Sequence, residues 1–453
     1  MTIDRRNILS AGLAAGATAT AVAGIAAVGV RTAEARSYGS AGDIGLVSGS
    51  RIDQAPVLQA ALDAATDRGA PLHLPPGHFR IGSLRLRSGA RLIGADGLTK
   101  LEHAGAGPFI TAEDADSIAI EGIAFDGAYA ALGDADGLIA IARSSAVRLN
   151  RLRITRSPGN GIALFACGGS VTDCTIENAM QAAVRSLDAT GLEISHNDIA
   201  DCGNNGIQIW RSEAGEDGSI VVGNRIVRIR ADGGGTGQNG NGVNAFRAGA
   251  VLVSGNRITD CAFSAVRGNA SNNIQIIGNS CSRLGEVAIY SEFGFEGALI
   301  ANNFVDNAAT GITVTNFNEG GRLAVIQGNV VRNLFRREHE PVDKRGHGIT
   351  AEADCAMTGN VIERAPTAGI VIGWGAYMRE VVATSNLVRD SRVGILVSVD
   401  PSAGACLIAS NMISGAKLGA IRAMDGEGEP VGADLVRGGD GNKRISVSGN
   451  VAV

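Results

Sequence analysis

A short phrase built around asparagine recurs through most of the chain, and it restricts the possible folds more than any other feature. It has the form Gly/Ser/Asn-Asn-x-Ile/Val, with weaker versions at Asn150 and Asp173. Its clear copies lie at Asn197, Asn224, Asn256, Asn279, Asn303, Asn329, Asn360, Asn386, Asn411 and Asn450. From Asn150 to Asn411 the spacing runs from 23 to 32 residues. Such a period indicates a repeat architecture, in which one repeat cannot bury its apolar face alone.

A second phrase, Gly-Ile or a close relative, lies between these asparagines. Its first residues are Gly161, Ala183, Gly206, Gly242, Ala265, Ala288, Gly311, Gly348, Gly369, Gly394 and Gly419. Both phrases start short alternating runs, such as residues 207–209 and 312–314, which are typical of strands with one buried face. We therefore predict an all-β, right-handed parallel β-helix of about 24 residues per coil, with coils about 4.8 Å apart. We interpret the repeated asparagines as structural residues stacked at an inward turn.

Composition narrows the functional class. Hydrophobic residues make up 45% and the net charge is −5, which excludes intrinsic disorder and argues against a nucleic-acid partner. The 64 glycines and 4% aromatic residues suit tight turns around a narrow interior. Seven cysteines in 453 residues are too sparse for a disulfide-rich domain and lack zinc spacing. We expect most of them to be buried, and we predict no metal site and no cofactor.

Residues 1–35 have the three parts of a bacterial signal peptide. Arg5 and Arg6 precede an uncharged Ala/Gly-rich run over residues 8–30, and an Ala-x-Ala site ends at Ala35. The paired arginines are typical of twin-arginine export. We expect cleavage after Ala35, a periplasmic or secreted protein and no membrane association afterwards. The run is also long enough to span a bilayer, so an uncleaved anchor is the alternative.

The remaining chain divides into two predicted parts. Residues 36–150 form an N-terminal cap and the first coils, with a helix over Gln54–Thr66, Asp53 as its N-cap and Gly69 as its stop. Residues 151–453 form the main β-helix. Inserts at 227–241 and 333–347 lengthen the same corner four coils apart, and we expect them to project as walls about 19 Å apart.

A predicted site lies on the strands that begin with the Gly-Ile phrase. Side chains two and four positions after the Gly are expected to point outward. Between and beside the inserts these positions are polar or aromatic, which suits a polysaccharide or cell-envelope glycan, since aromatic rings stack on sugars and Arg pairs with carboxylates. The predicted substrate-binding residues are Arg185, Gln208, Trp210, Asn244, Phe246, Asn269, Thr313, Thr315 and Glu352. An ordinary solvated β-face is the alternative interpretation.

Three residues on neighbouring coils are candidates for catalysis on an acidic glycan. A lyase or C5-epimerase removes a proton next to a carboxylate, so it needs a base and a neutralising cation. Arg267 could supply the cation, and Tyr290 or Glu292 could transfer the proton. A hydrolase needs two carboxyl groups, and Glu292 and Glu352, two coils and roughly 9.6 Å apart, are compatible with inversion.

The cap helix, the Leu-Pro-Pro-Gly-x-Phe phrase at 74–79 and the repeated coils resemble the pectin-lyase-like superfamily of β-helices. With the Arg-Arg signal, the chain resembles the twin-arginine-exported repeat proteins of bacteria, a family without an assigned reaction. The resemblance covers nearly all of residues 45–453. It implies the fold, but the superfamily includes lyases, hydrolases, epimerases and non-catalytic adhesins, so it does not settle the function.

One local phrase carries a narrower resemblance. Residues 345–349, Arg-Gly-His-Gly-Ile, resemble the Gly-His-Gly element of polygalacturonases, which implies a catalytic role for His347. The paired Asp, Asn-Thr-Asp and Arg-Ile-Lys elements of that family are absent. We therefore predict an exported lyase or C5-epimerase acting on acidic glycans, with a non-catalytic envelope or glycan-binding protein as the alternative. The sequence does not determine the oligomeric state.

Overall fold

The computed structural model describes residues 41–235, 237–437 and 443–453. The predicted signal segment, residues 1–35, lies outside the described residues. The described chain winds into a parallel β-solenoid of about 14 turns, with one short α-helix near its start. This confirms the predicted all-β parallel β-helix with an N-terminal helix.

The strands form three long faces of the cylinder, which we name A, B and C. Each strand pairs in parallel with its counterpart one coil later. Face A is one sheet of 15 strands. Its strands are Leu72–His73, Arg91–Ile93, Ala119–Glu121, Val147–Asn150, Gly169–Thr172, Glu193–Ser195, Ile220–Val222, Leu252–Ser254, Ile274–Ile277, Glu296–Ala301, Arg322–Gln327, Ala353–Thr358, Arg379–Thr384, Cys406–Ala409 and Ile445–Ser448.

Face B follows face A in every coil. Its strands are Gly77–Ile81, Thr99–His103, Ala124–Asp126, Arg153–Thr155, Thr175–Glu177, Asp198–Ala200, Arg225–Ile229, Arg257–Cys261, the first parts of Ser280–Glu292 and Phe304–Val314, then Val330–Arg332, Val361–Glu363, Leu387–Arg389, Met412–Ser414 and Val451–Ala452. The two long strands continue round the corner into face C and join the two faces into one sheet.

Face C completes each coil and carries the Gly-Ile phrases. Its strands are Leu84–Leu86, Ile110–Glu113, Gly137–Ala142, Asn160–Phe165, Ala182–Leu187, Asn205–Glu216, Asn241–Gly249, Val266–Asn269, the second parts of the two long strands, His347–Ala351, Ala368–Ile372, Val393–Ser398 and Ile421–Met424. Pro430–Asp434 adds an antiparallel strand to the last of these. Short 3₁₀ helices lie at Ala41–Ile44, Phe317–Glu319, Val342–Lys344 and Leu435–Arg437.

The core is a stack of in-register aliphatic side chains. On face C the Ile or Val of each Gly-Ile phrase points into the cylinder, and these residues pair coil upon coil with no exposed surface. They are Ile162, Val184, Ile207, Val243, Val266, Ile289, Ile312, Ile349, Ile370, Ile395 and Ile421. In the last coil the pairing residue is Ile421, two positions after Gly419. β-Branched side chains pack well on such a pleated surface, so the column fixes the register.

An asparagine ladder runs between faces A and B from Asn197 to Asn450. In each step one side-chain oxygen accepts from both the backbone N–H and the amide group of the preceding asparagine, as Asn279 Oδ1 does from Asn256 at 3.0 and 2.9 Å. The amide nitrogen of Asn279 also donates to Val253 O at 3.0 Å. The structural interpretation of the repeated asparagines is therefore confirmed. Asn150 and Asp173 are not part of the ladder. In their two coils the position that aligns with Asn197 is occupied by Leu152 and Cys174.

The helix Ala55–Asp67 covers the first coil. Leu58, Leu62 and Ala65 form its buried face against the first strands. The predicted N-cap, Asp53, was wrong by one residue. The N-cap is Gln54, and its side chain makes no capping hydrogen bond. Asp53 Oδ1 instead accepts from the N–H groups of Ala55 at 2.8 Å and Gly82 at 2.7 Å, which ties the helix to the coil beneath it.

Two further predictions concern membrane-spanning helices and the cysteines. Within the described ranges, no helix is both long and apolar enough to cross a bilayer. All seven cysteines are buried and unpaired, as expected for small core residues.

Candidate functional site

The two outward columns predicted on face C lie in register. The first column runs Arg185–Gln208–Asn244–Arg267–Tyr290–Thr313–Thr350, and the second runs Leu187–Trp210–Phe246–Asn269–Glu292. Each step is about one strand spacing, 4.8 Å. Residues more than twenty positions apart in the chain are thus vertical neighbours.

The two inserts fold over face C instead of standing apart as walls. Gly237 of the first insert lies against the Arg267 guanidinium so closely that a side-chain carbon there would collide with it. In the second insert, Lys344 O accepts from Thr310 Oγ1, and Lys344 Nζ lies 3.5 Å from Glu286 Oε1. The strip beneath them is consequently buried, and the alternative of a solvated face is wrong for the central coils.

A cavity of about 570 Å³ remains between the inserts and the strands. Nine of the thirteen predicted site residues line it: Trp210, Asn244, Phe246, Arg267, Asn269, Tyr290, Glu292, Thr315 and Glu352. Six further lining residues were not predicted: Gly237, Gln238, Phe293, Asn316, Asp343 and Lys344. The charged composition of the second insert was the only sequence signal for Asp343 and Lys344.

Arg267 is held by two carboxylates at the floor of the cavity. Its Nε donates to Glu292 Oε1 at 2.6 Å and its Nη2 to Glu292 Oε2 at 2.9 Å, while its Nη1 donates to Glu286 Oε2 at 3.1 Å. All three side chains are buried. Arg267, which was predicted to bind a substrate carboxylate, is already paired with two carboxylates of the protein itself.

Tyr290 lies beneath both cations of the cavity. The Arg267 guanidinium carbon is 5.0 Å and Lys344 Nζ 5.4 Å from the centre of its ring. Burial raises the pKa of the phenol, the neighbouring Glu292 adds to this, and a hydrogen bond with Thr315 partly offsets it. The phenol is therefore a neutral hydrogen-bond donor at physiological pH.

Glu352 combines burial, a fixed orientation and a cavity position. Its Oε2 accepts from the backbone N–H of Phe317 at 2.8 Å. Burial raises the pKa of Glu352 to about 7; hydrogen bonds from Phe317 and Asn316 lower it, and the charge of Asp343 raises it. Burial likewise raises the pKa of Asp343, which Lys344 opposes. A carboxyl group that titrates near neutrality is suited to proton transfer.

Aromatic side chains form the opposite end of the cavity. The rings of Trp210 and Phe246 meet edge to face, 6.1 Å between centres. Trp210 Nε1 donates to Asn244 Oδ1 at 2.8 Å, and Asn269 Nδ2 donates to Glu292 Oε1 at 3.0 Å. The bond to Asn244 and the contact with Phe246 fix the indole ring of Trp210 in place, as a sugar-stacking surface requires.

Four predicted site residues do not line this cavity. Arg185 lines a second cavity of about 430 Å³ and pairs with Asp136 Oδ2 at 2.8 Å. Gln208 and Thr313 are buried within their column.

His347, which was predicted to be catalytic, does not line the cavity. Its ring is buried, 6.4 Å from that of Trp374, and its strand partner in the next coil is Ala368. Trp374 and Ala368 belong to an apolar cluster that is separate from the core of the cylinder. Burial lowers the pKa of His347 to about 4. The imidazole is therefore neutral at physiological pH.

The residues of the cavity are not arranged as a metal centre. Among residues 41–235, 237–437 and 443–453, no group of three or more His, Cys, Asp or Glu side chains could hold a metal ion. The site thus consists of paired charges, carboxyl groups and aromatic rings on the outside of a parallel β-helix.

Comparison with known families agrees with this architecture. The family described as "Right handed beta helix region" matches residues 137–234 and 219–402, more than half of the chain. The protein is therefore a member of the right-handed β-helix family.

Several solved structures are similar to this chain at low sequence identity. The catalytic unit of an α-1,3-glucanase from Streptomyces thermodiastaticus is 16% identical over 92% of this chain and 69% of its own, with a TM-score of 0.47. The A-module of a mannuronan C-5 epimerase from Azotobacter vinelandii is 16% identical over 91% and 98%, with a TM-score of 0.46. Gene product 12 of bacteriophage phi29 is 13% identical over 85% of this chain, which spans 55% of the phage protein's length; the TM-score is 0.47. A search of curated proteins found no match.

Proposed function

We propose that the protein is an exported enzyme that cleaves a glycosidic bond of a glycan bound in the face C cavity, with Glu352 as the proton donor. The observation that carries the proposal is the buried Glu352 carboxyl, held by the Phe317 N–H and titrating near pH 7 beside a second carboxyl, Asp343, in a cavity that also contains Trp210 and Phe246. Two carboxyl groups are what glycoside hydrolysis requires.

The proposed step assigns one role to each carboxyl. Glu352 gives its proton to the glycosidic oxygen as the bond from that oxygen to the anomeric carbon breaks. Asp343 takes a proton from a water molecule whose oxygen bonds to the anomeric carbon, and the products are two sugar hydroxyl groups. Asp343 is assigned the base because both oxygens of Glu292 are already bound by Arg267 and Asn269.

The charges that line the cavity favour a neutral sugar at the reaction centre. Among the described residues, three carboxyl groups line the cavity, those of Glu292, Asp343 and Glu352, together with two cations, Arg267 and Lys344. Arg267 already binds Glu292 and Glu286. An incoming carboxylate would add a negative charge to this set.

A lyase or C5-epimerase acting on acidic glycans is the second candidate. Lys344, which lines the cavity, could neutralise a substrate carboxylate in place of Arg267. This candidate predicts that removal of the Lys344 charge abolishes turnover of a uronate polymer.

The experiment is a turnover assay on purified protein with neutral glucans, xylan and chitin oligosaccharides, and with alginate and polygalacturonate. Release of reducing ends without unsaturated uronate indicates hydrolysis. Ultraviolet absorbance of unsaturated uronate indicates elimination, and C5 inversion by NMR indicates epimerisation. We expect hydrolysis, with Glu352→Gln reducing kcat about 100-fold or more.

The matched control, Glu193→Gln on the exposed side of face A, should leave kcat unchanged. Binding without turnover on any polymer would overturn the proposal in favour of a glycan-binding envelope protein.

We also propose that the protein leaves the cytoplasm by the twin-arginine route and acts in the periplasm or outside the cell. The support is the sequence of residues 1–35 and the resemblance to the twin-arginine-exported repeat proteins. Fractionation of cells that express the full chain should yield a mature protein beginning at Arg36. Replacing both Arg5 and Arg6 with Lys should retain it in the cytoplasm, and export of that variant would contradict the proposed route.

A further inference from the structure

We infer that the groove on face C is closed next to Glu352 and open toward the N-terminal coils, so that the enzyme acts on the end of a linear glycan whose remaining residues extend into the second cavity. The inference rests on the proposed function and adds to it the shape of the substrate and the mode of attack. The inference is supported by the residues at the two ends of the cavity along the axis of the cylinder.

The cavity ends at Glu352. No residue of a later coil in the described chain lines it. In the next coils the outward position of the first column is occupied by Val371 and Leu396, which are apolar and have almost no exposed surface. They form an apolar cluster separate from the core of the cylinder, together with Met424 and Trp374.

Two chain segments build the wall over this cluster. The turn from Trp374 to Tyr377 is closed by hydrogen bonds in both directions, 3.1 and 3.0 Å, and Ser398 Oγ donates to Gly375 O at 2.5 Å. The hairpin formed by Ile421–Met424 and Pro430–Asp434 places Gly428 directly against the Trp374 indole. A glycan could not continue past Glu352 along face C without displacing buried apolar side chains.

The opposite side is open. The Trp210 ring at the end of the first cavity lies 5.8 Å from the guanidinium of Arg185, which lines the second cavity. Leu187, also a lining residue of the second cavity, pairs directly with Trp210 in the next coil. The two cavities are therefore neighbouring parts of one groove.

The second cavity has the chemistry of a sugar subsite. Its apolar lining includes Ala140 and Ala163, which pair in neighbouring coils, and Leu187, which pairs with the exposed Phe165 in the adjacent column. Its rim carries the Arg185–Asp136 ion pair, which offers donors and acceptors to hydroxyl groups. From Glu113, at its far end, to Glu352 there are nine coil spacings, about 43 Å, enough for an oligosaccharide.

The test is a time course with linear oligosaccharides, from dimers to decamers, of the glycan that the wild-type protein cleaves, each labelled at its reducing end. Attack on chain ends gives one short product from the earliest time points. A broad set of internal fragments at early times would overturn the inference while leaving the proposed function intact. Failure to cleave any glycan of the panel would instead overturn the proposed function.

Two variants test the two halves of the inference separately. Arg185→Ala should raise KM for decamers at least fivefold more than for dimers, whereas Arg148→Ala, an exposed arginine on face A, should change neither. An equal increase in KM for decamers and dimers in Arg185→Ala would show that the second cavity does not bind the glycan. Trp374→Ala should open the wall and increase the share of internal cuts. Should it prove unstable by thermal unfolding, the Arg185→Ala comparison and the wild-type time course decide the question.

Discussion

Arg267 and Glu292 form a buried two-point ion pair between neighbouring coils, with Nε 2.6 Å from Oε1 and Nη2 2.9 Å from Oε2. The pair joins strands that lie 25 residues apart in the sequence. Because Glu286 also binds the same guanidinium, Arg267 orders the floor of the cavity. The role of Arg267 is therefore to stabilise the folded site.

Replacing Arg267 with Met should destabilise the protein by about 3–5 kcal/mol, because two buried carboxylates lose their partner. The measurement is the shift of the denaturant midpoint, followed by circular dichroism. Arg283→Met is the matched control, since Arg283 binds Asp260 of the preceding coil through two nitrogens but is largely exposed. Its midpoint should hardly move. Equal shifts in the two variants would show that burial of the Arg267 cluster contributes nothing.

Asn279→Ala should cost about 2–4 kcal/mol of stability. The substitution removes the acceptor of two donors on Asn256 and the donor to Val253 O, all within the buried ladder. Asn450→Ala at the half-buried end of the ladder should cost clearly less. Thermal unfolding of both variants checks the order, and a larger loss for Asn450 would contradict a ladder that acts through buried hydrogen bonds.

The stability difference between the wild-type protein and Glu352→Gln should depend on pH. The pKa of Glu352 rises from 4.5 to about 7 on folding, so the folded state holds a proton that the unfolded state releases. The resulting stabilisation is complete below pH 4.5 and is lost as pH rises through 7, by about 3 kcal/mol in total. The free energy of unfolding of the wild type should therefore fall relative to that of Glu352→Gln between pH 4.5 and 7. Above pH 7 the difference between the two proteins should stay constant. Denaturant unfolding of both proteins at a series of pH values measures this, and a constant difference would refute the shifted pKa.

The same titration should limit catalysis. A proton donor must be protonated, so the rate should fall above about pH 7 in the free enzyme. The pH profile of kcat/KM on the cleaved glycan measures this limb. A rate that rises through pH 7 would instead assign Glu352 the role of a base.

The seven cysteines should be inert in the folded protein. Each is buried, and burial raises the pKa of the Cys202 and Cys281 thiols to about 12. A thiol reagent at pH 8 should therefore find none of them until denaturant is added, and then all seven. Reducing agent should not change the melting temperature. Rapid labelling of the native protein would contradict the burial.

Much of the site could be predicted because the period of the repeat sets the register. The spacing of the asparagine and Gly-Ile phrases was enough to place Arg267, Tyr290 and Thr313 in one column, which the strand pairing confirms. Alternation then separated the inward Ile and Val residues from the outward polar ones.

The remainder depends on segments that have no period. The second insert has no repeat to fix its path, so nothing in the sequence showed that Asp343 and Lys344 fold back into the cavity. Glu286 lies at an irregular corner where the register shifts between Leu284 and Val287, and only that corner brings it to Arg267. His347 was predicted from a local motif alone, and nothing in that motif indicated that its ring would pack near Trp374 instead of lining the cavity.

The two long strands, Ser280–Glu292 and Phe304–Val314, carry hydrogen-bonded pairing round the corner beneath the cavity. The loops above can therefore vary in length and composition without disturbing the support on which Tyr290 and Glu292 are mounted. Changes in substrate range during evolution would be expected to accumulate in residues 230–240 and 333–346, while insertions or deletions within the two long strands would be eliminated by selection.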